Sequence, residues 1–222
     1  MFDPVLRPVK DALLTPLARR AMALPPMWFT AAGLAAGLTA AWCGYRGFWA
    51  PGLGLWAACR VFDGLDGLVA RLRGDATDIG GFLDLLADFT VYATIPLGLA
   101  LNPAAPADLP AAVAVLLGTF YVNTAAWMIP SAILERRGLG ARVRGEPTTI
   151  TIPEGLVSGG ETVLFFGLFF LLPDLQLPLV WTMAALTAVT VLQRAVWAIR
   201  TLSDDADAPA RASTNSSAGK TS

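Results

Sequence analysis

Six apolar runs, at about 27–45, 50–70, 79–101, 110–134, 155–172 and 176–199, constrain this chain more than any other feature. Each is close to the roughly 20 residues that an α-helix needs to cross the hydrocarbon of a bilayer. A chain of 222 residues with 55% hydrophobic and 15% charged residues, and a mean hydropathy of +0.57, is too apolar for an ordinary soluble domain. The runs therefore predict an all-α polytopic membrane protein with six transmembrane helices. Aspartates interrupt the second and third runs, so a plain hydropathy window can miss one of them, and the fifth, from Gly155 to Leu172, is the shortest.

Basic residues predict the orientation. Arg7, Lys10, Arg19, Arg20, Arg71, Arg73, Arg136, Arg137, Arg142, Arg144, Arg200, Arg211 and Lys220 lie in the termini and even-numbered connections, whereas the odd-numbered connections carry Arg46 alone. The excess of Lys and Arg on cytoplasmic segments then puts both termini and the 74–78 turn in the cytoplasm, in a cell inner membrane.

Residues 1–24 interleave Val5, Leu6, Val9, Leu13, Leu14 and Leu17 with four basic residues, which predicts an amphipathic helix lying on the cytoplasmic leaflet. Pro4, Pro8 and Pro16 predict that it is broken or kinked. The transmembrane domain is expected over 25–202, and the Ser-, Ala-, Thr- and Asp-rich residues 203–222 are expected to be a disordered cytoplasmic tail.

Composition also excludes chemistry. The chain has no histidine, so neither a Ser-His-Asp triad nor a His-ligated metal can operate, and a general base must be a carboxylate or a less usual group. Cys43 and Cys59 lack metal-ligand spacing and are expected to be small apolar packing residues. The net charge of −1 carries little information about partners, and nothing in the sequence suggests nucleic acid binding. Gly33 and Gly37 form a GxxxG, which lets helices approach closely, either within the chain or in a homodimer.

One polar constellation interrupts the apolar pattern. Asp63, Asp66, Gly67, Ala70 and Arg71 read DxxDGxxAR; after eight intervening residues Gly80, Asp84 and Asp88 read GxxxDxxxD. At about 3.6 residues per turn, positions 63, 66, 67 and 70 share a helix face, as do 80, 84 and 88. Two helices joined by a short turn then point four carboxylates at one another, with Gly74 suited to the reversal and Thr77 or Asp78 to the next helix cap. Clustered acids at membrane depth are costly unless neutralised, and hard carboxylate oxygens suit Mg²⁺ or Mn²⁺. Four of them suffice for two ions. Gly67 and Gly80 remove side chains either for helix packing or where a ligand approaches the backbone.

The full pattern resembles the signature of the CDP-alcohol phosphatidyltransferases, integral membrane enzymes of phospholipid synthesis, and the similarity extends over roughly 24–200. The resemblance implies displacement of CMP from a CDP-linked lipid, such as CDP-diacylglycerol, by an acceptor alcohol. It implies Asp63, Asp66 and Asp84 as metal ligands, and Asp88 as the base and a possible fourth ligand. It also implies contact of Arg71 and Thr77 with the diphosphate, and of Thr30 with the nucleotide. The family's PNxxT-like element reads Pro26, Met27, Trp28, Phe29, Thr30 here, so Met27 replaces its polar residue.

Two other classes bind cations through acids. A divalent-cation channel or transporter needs a path of acids beyond the site, and the fourth and sixth runs offer none. A Mg²⁺-diphosphate prenyl-transfer enzyme usually has its aspartate pairs far apart, whereas these fall within 26 residues. The acceptor is not identified by the residues: Glu154, Ser158 and Glu161 stand where the inositol phosphate users of the family carry an arginine-bearing element. Glu161 itself fits helix initiation or acceptor binding.

Overall fold

The computed structural model describes residues 3–140, 153 and 155–218, with side chains over 11–140, 153 and 155–203. Its regular elements are helices: α1 (Asp3–Ala21), α2 (Pro26–Arg46), α3 (Trp49–Arg73), α4 (Asp78–Ala100), α5 (Leu109–Arg136), α6 (Gly159–Leu171) and α7 (Gln176–Ala218), with a 3₁₀ turn at Pro173–Leu175. The all-α expectation holds among the described residues, and α2 to α7 fall on the six apolar runs.

Fewer helices qualify as spans than the runs predict. By length and composition, Asp78–Ala100, Leu109–Arg136 and Pro173–Ser203 can cross a membrane. A fourth is reached if Asp11–Ala21 and Pro26–Arg46, bent by 117°, count as one. The reasons are local. α3 is 25 residues long but contains Arg60, Asp63, Asp66, Arg71 and Arg73, and α6 has only 13 residues.

Two termini also differ from expectation. α1 runs unbroken from Asp3 to Ala21 through Pro8 and Pro16; Pro4 sits in the first turn, where its missing N–H costs nothing, and the break comes at Pro25–Pro26 instead. α7 continues to Ala218, over residues expected to be disordered. Extending an existing helix needs no new nucleus, and this stretch holds several alanines and no glycine before Gly219.

Contacts divide the chain into two compact units, Met1–Gly118 with Val157–Leu186, and Thr119–Leu156 with Thr187–Ser222. In the first, α3 is central. Its Leu65, Leu68 and Val69 pack with Ala18 of α1 and Phe29 of α2, flanked by Leu14, Ala21 and Phe62. Further along α3, Trp56 meets Phe166 of α6 at 5.2 Å between ring centroids and donates its indole N–H to the Val163 carbonyl at 3.1 Å. A buried indole with its donor satisfied gains area without an unpaired polar group.

Close approach between α2 and α4 depends on glycine. A Cβ at Gly37 would strike Val91, and one at Gly98 would strike the Ala41 backbone. A Cβ at Gly33 would lie 3.4 Å from Phe62. Gly33 and Gly37 are thus used inside the chain, α2 lying against α3 and α4. In the second unit, Arg194 is 5% exposed and donates to Asn123 Oδ1 at 2.9 Å.

Candidate active site

The turn between the two motif halves is built locally. Gly74 ends α3 at φ 69°, its N–H reaching the Ala70 and Arg71 carbonyls, a left-handed position that glycine adopts without Cβ strain. Thr77 then caps α4, its hydroxyl accepting from the Gly80 N–H at 3.1 Å. The expected reversal and cap are both present, with Thr77 rather than Asp78 in the capping role. This hairpin sets α3 and α4 so that their acidic faces meet.

An open cleft lies between them, lined by Asp63 and Asp66 from α3 and by Asp84 and Asp88 from α4. Thr30 of α2 completes this side, so five of the residues predicted from sequence share one cavity. Asp66 is 5% exposed and doubly held: Oδ2 accepts from the Thr30 hydroxyl at 2.8 Å, and Oδ1 from the Gly67 N–H. Thr30 therefore acts on a carboxylate here. Asp84 has neither a hydrogen bond nor an ion pair among the described residues.

Arg60 was not anticipated. Its guanidinium donates to Asp88 Oδ1 at 2.8 Å, lies 3.7 Å from Asp63 Oδ1 and reaches the Tyr92 hydroxyl at 3.3 Å and Cys59 Sγ at 3.2 Å. Cys59 is free and buried, as expected, but it also lines the cleft. The usable signal was a lone arginine in the middle of an apolar run, one turn before Asp63, because intramembrane charges face the protein interior and find partners. The signal for Tyr92, one turn after Asp88 on the same face, was weaker.

Other predicted residues lie at the rim or away from it. Arg71 points to α1, pairing with Asp11 Oδ2 at 3.4 Å, and does not line the cleft. A Cβ at Gly67 would sit 3.3 Å from Arg71 Nη1, and one at Gly80 the same distance from Thr77 Oγ1. The two glycines thus stand beside the two side chains expected to meet a diphosphate. Glu161 is a cap: its Oε2 accepts from the Ser158 N–H at 3.0 Å and the Ser158 hydroxyl at 2.5 Å, forming a capping box that opens α6. Most of the 135–154 loop, including Glu154, lies outside the described residues.

The donor chemistry fits a divalent cation. Four hard carboxylates face one cleft whose lining contains a single cation, Arg60, among the described residues, leaving an excess of negative charge. No three of them are gathered closely enough among the described residues to share an ion. Asp88 pairs instead with Arg60 at 2.8 Å, and Asp63 lies 3.7 Å from the same guanidinium.

Comparisons with known proteins bear on the fold and the family. The inner membrane protein YnjF of Escherichia coli (strain K12) is 36% identical over 114 residues, 51% of this chain and 53% of YnjF; the chain thus matches about half the length of that curated relative. Among solved structures, phosphatidylinositol phosphate synthase PgsA1 of Mycobacterium tuberculosis with CDP-DAG bound superposes with a TM-score of 0.65. The match is 24% identical, covers 82% of this chain and 92% of that one, and so shows a shared fold. The same enzyme in complex with manganese and citrate gives a TM-score of 0.60, covering 82% and 88%. The model of the CDP-alcohol phosphatidyltransferase family matches residues 22–192, a stretch containing the whole cleft from Thr30 to Asp88, and the chain belongs to that family.

Proposed function

We propose that this protein transfers a substituted phosphate group from a CDP-linked lipid, such as CDP-diacylglycerol, to the hydroxyl of an acceptor alcohol, releasing CMP. The observation that carries the reading is the convergence of Asp63, Asp66, Asp84 and Asp88 on one cleft. PgsA1, with the same fold, has been solved with CDP-DAG and with manganese, which supports a CDP-lipid donor and a divalent cation here.

Asp63, Asp66 and Asp84 are the residues that would hold Mg²⁺ or Mn²⁺, in one or two ions, with Asp88 beside them. Such ions would neutralise diphosphate charge and stabilise the leaving oxygen. Asp88 takes the proton as the acceptor oxygen bonds to the lipid-side phosphorus, and the bond from that phosphorus to CMP breaks with its electron pair leaving on CMP. Thr30 holds the Asp66 carboxylate in place. Arg71, Thr77 and the space left by Gly67 and Gly80 belong to the diphosphate end. For Arg71 this requires exchange of its half-buried partner Asp11 for phosphate. Purified protein with CDP-diacylglycerol, Mg²⁺ and a panel of alcohols should release CMP and form one new lipid; no CMP release with any alcohol would refute the reading.

The membrane arrangement belongs to the same proposal. Six helices span the inner membrane, α1 lies on its cytoplasmic face, and the cleft opens to the cytoplasm. This follows from the basic residues and the six runs. In a background lacking Cys43 and Cys59, a cysteine introduced at Asp75 should react with a membrane-impermeant maleimide only after the cytoplasmic side is exposed. Labelling in intact cells would reverse the topology.

A further inference from the structure

Asp88 is held by a cation as well as a hydroxyl: Arg60 Nη2 is 2.8 Å from Oδ1, and the Tyr92 hydroxyl is 3.5 Å from Oδ2. Asp84, one turn earlier on the same helix, has neither a hydrogen bond nor an ion pair among the described residues. The cation that makes this difference is itself fixed. Arg60 has a side chain only 12% exposed, and its guanidinium lies 4.7 Å from the Trp56 ring centroid and 5.5 Å from that of Tyr92. Trp56 is anchored in turn by Phe166 and the Val163 carbonyl. A planar, always-charged fork stacked on two aromatic rings is held in position in a way that a free side chain is not.

We infer that Arg60 is a positioning residue that keeps Asp88 out of the metal's ligand set and reserves it for the acceptor proton. This deepens the proposed transfer and rests on it. The electrostatics supply the reason. A guanidinium in contact with Asp88 repels a divalent cation approaching that carboxylate, so ligation falls to Asp84 and Asp66, with Asp63 at the margin. The hydrogen bond to Oδ1 sets the carboxylate's rotation. Oδ2, with only the Tyr92 hydroxyl at the limit of hydrogen-bond length, remains to receive a proton.

The test separates metal binding from turnover. Mn²⁺ affinity of the full chain, without substrate, is read from the electron paramagnetic resonance signal of free Mn²⁺, beside kcat and KM for CMP release from CDP-diacylglycerol. Arg60→Gln should bind Mn²⁺ about tenfold more tightly because a neighbouring positive charge is gone. Its kcat should fall on the order of 100-fold, as for a misplaced base, with KM for the CDP-lipid little changed. Arg60→Lys should keep the wild-type Mn²⁺ affinity yet recover only part of kcat, since an ammonium cannot reproduce the fork. In an Asp88→Asn background, Arg60→Gln should cost little further turnover. Unchanged or weaker Mn²⁺ binding in Arg60→Gln, or losses that add in the double variant, overturns the inference. Arg60→Met, which keeps the apolar stem against Trp56, repeats the measurement if Arg60→Gln does not fold. Should wild type release no CMP, the proposed transfer fails while the Mn²⁺ titration still decides the inference on metal exclusion.

Discussion

Excess EDTA should reduce CMP release to background, and Mg²⁺ or Mn²⁺ added back should restore it. Four carboxylates from α3 and α4 face a cleft in which Arg60 is the lining cation among the described residues, so a diphosphate cannot enter without further positive charge. Asp66→Asn and Asp84→Asn should each reach the membrane and each lose turnover by more than the ~10–100-fold typical of losing an outer-shell partner. The two differ in one respect. Asp66 also orders its surroundings through Thr30 and the Gly67 N–H, so Asp66→Asn should weaken CDP-lipid binding as well. Full turnover in excess chelator, measured as CMP release, would contradict the mechanism, and near-normal turnover of either variant would remove that residue from the ligand set.

Asp88→Asn should bind the CDP-lipid with close to normal affinity and lose turnover on the order of 100-fold or more, the contribution of a positioned base. The chain has no histidine to take over. Tyr92 is adjacent, but a phenol that donates its hydrogen bond to Asp88 is a poor proton acceptor. Direct titration of the CDP-lipid, paired with single-turnover measurement, distinguishes the roles. Poor binding with normal turnover at saturation would make Asp88 a ligand and not the base.

The order of helices and the acidic motif were legible because both are local. Apolar runs near the length of a span mark α2 to α7, and a spacing of three or four residues puts Asp63 with Asp66, and Asp84 with Asp88, on common faces whatever those helices pack against. Gly74 and Thr77 were readable for the same reason, since a left-handed cap and a side-chain cap are set within one turn of chain. Local rules misjudged α1, where neighbouring turns carried the helix past Pro8 and Pro16, and they misjudged the 203–218 segment, where helix continued from α7.

Packing decided the rest. That Thr30 would hold Asp66 across 36 positions of sequence depended on how α2 lies against α3, a tertiary contact that no local spacing specifies. Arg71, which the resemblance implies as a phosphate contact, pairs with Asp11 because α1 packs on α3. Arg60 shows the limit most plainly. From sequence alone it is a charge in an apolar run; only the approach of α4, bringing Asp88 within 2.8 Å, makes it part of the site. Helix periodicity determines which side chains share a face, and the tertiary structure alone determines which faces meet.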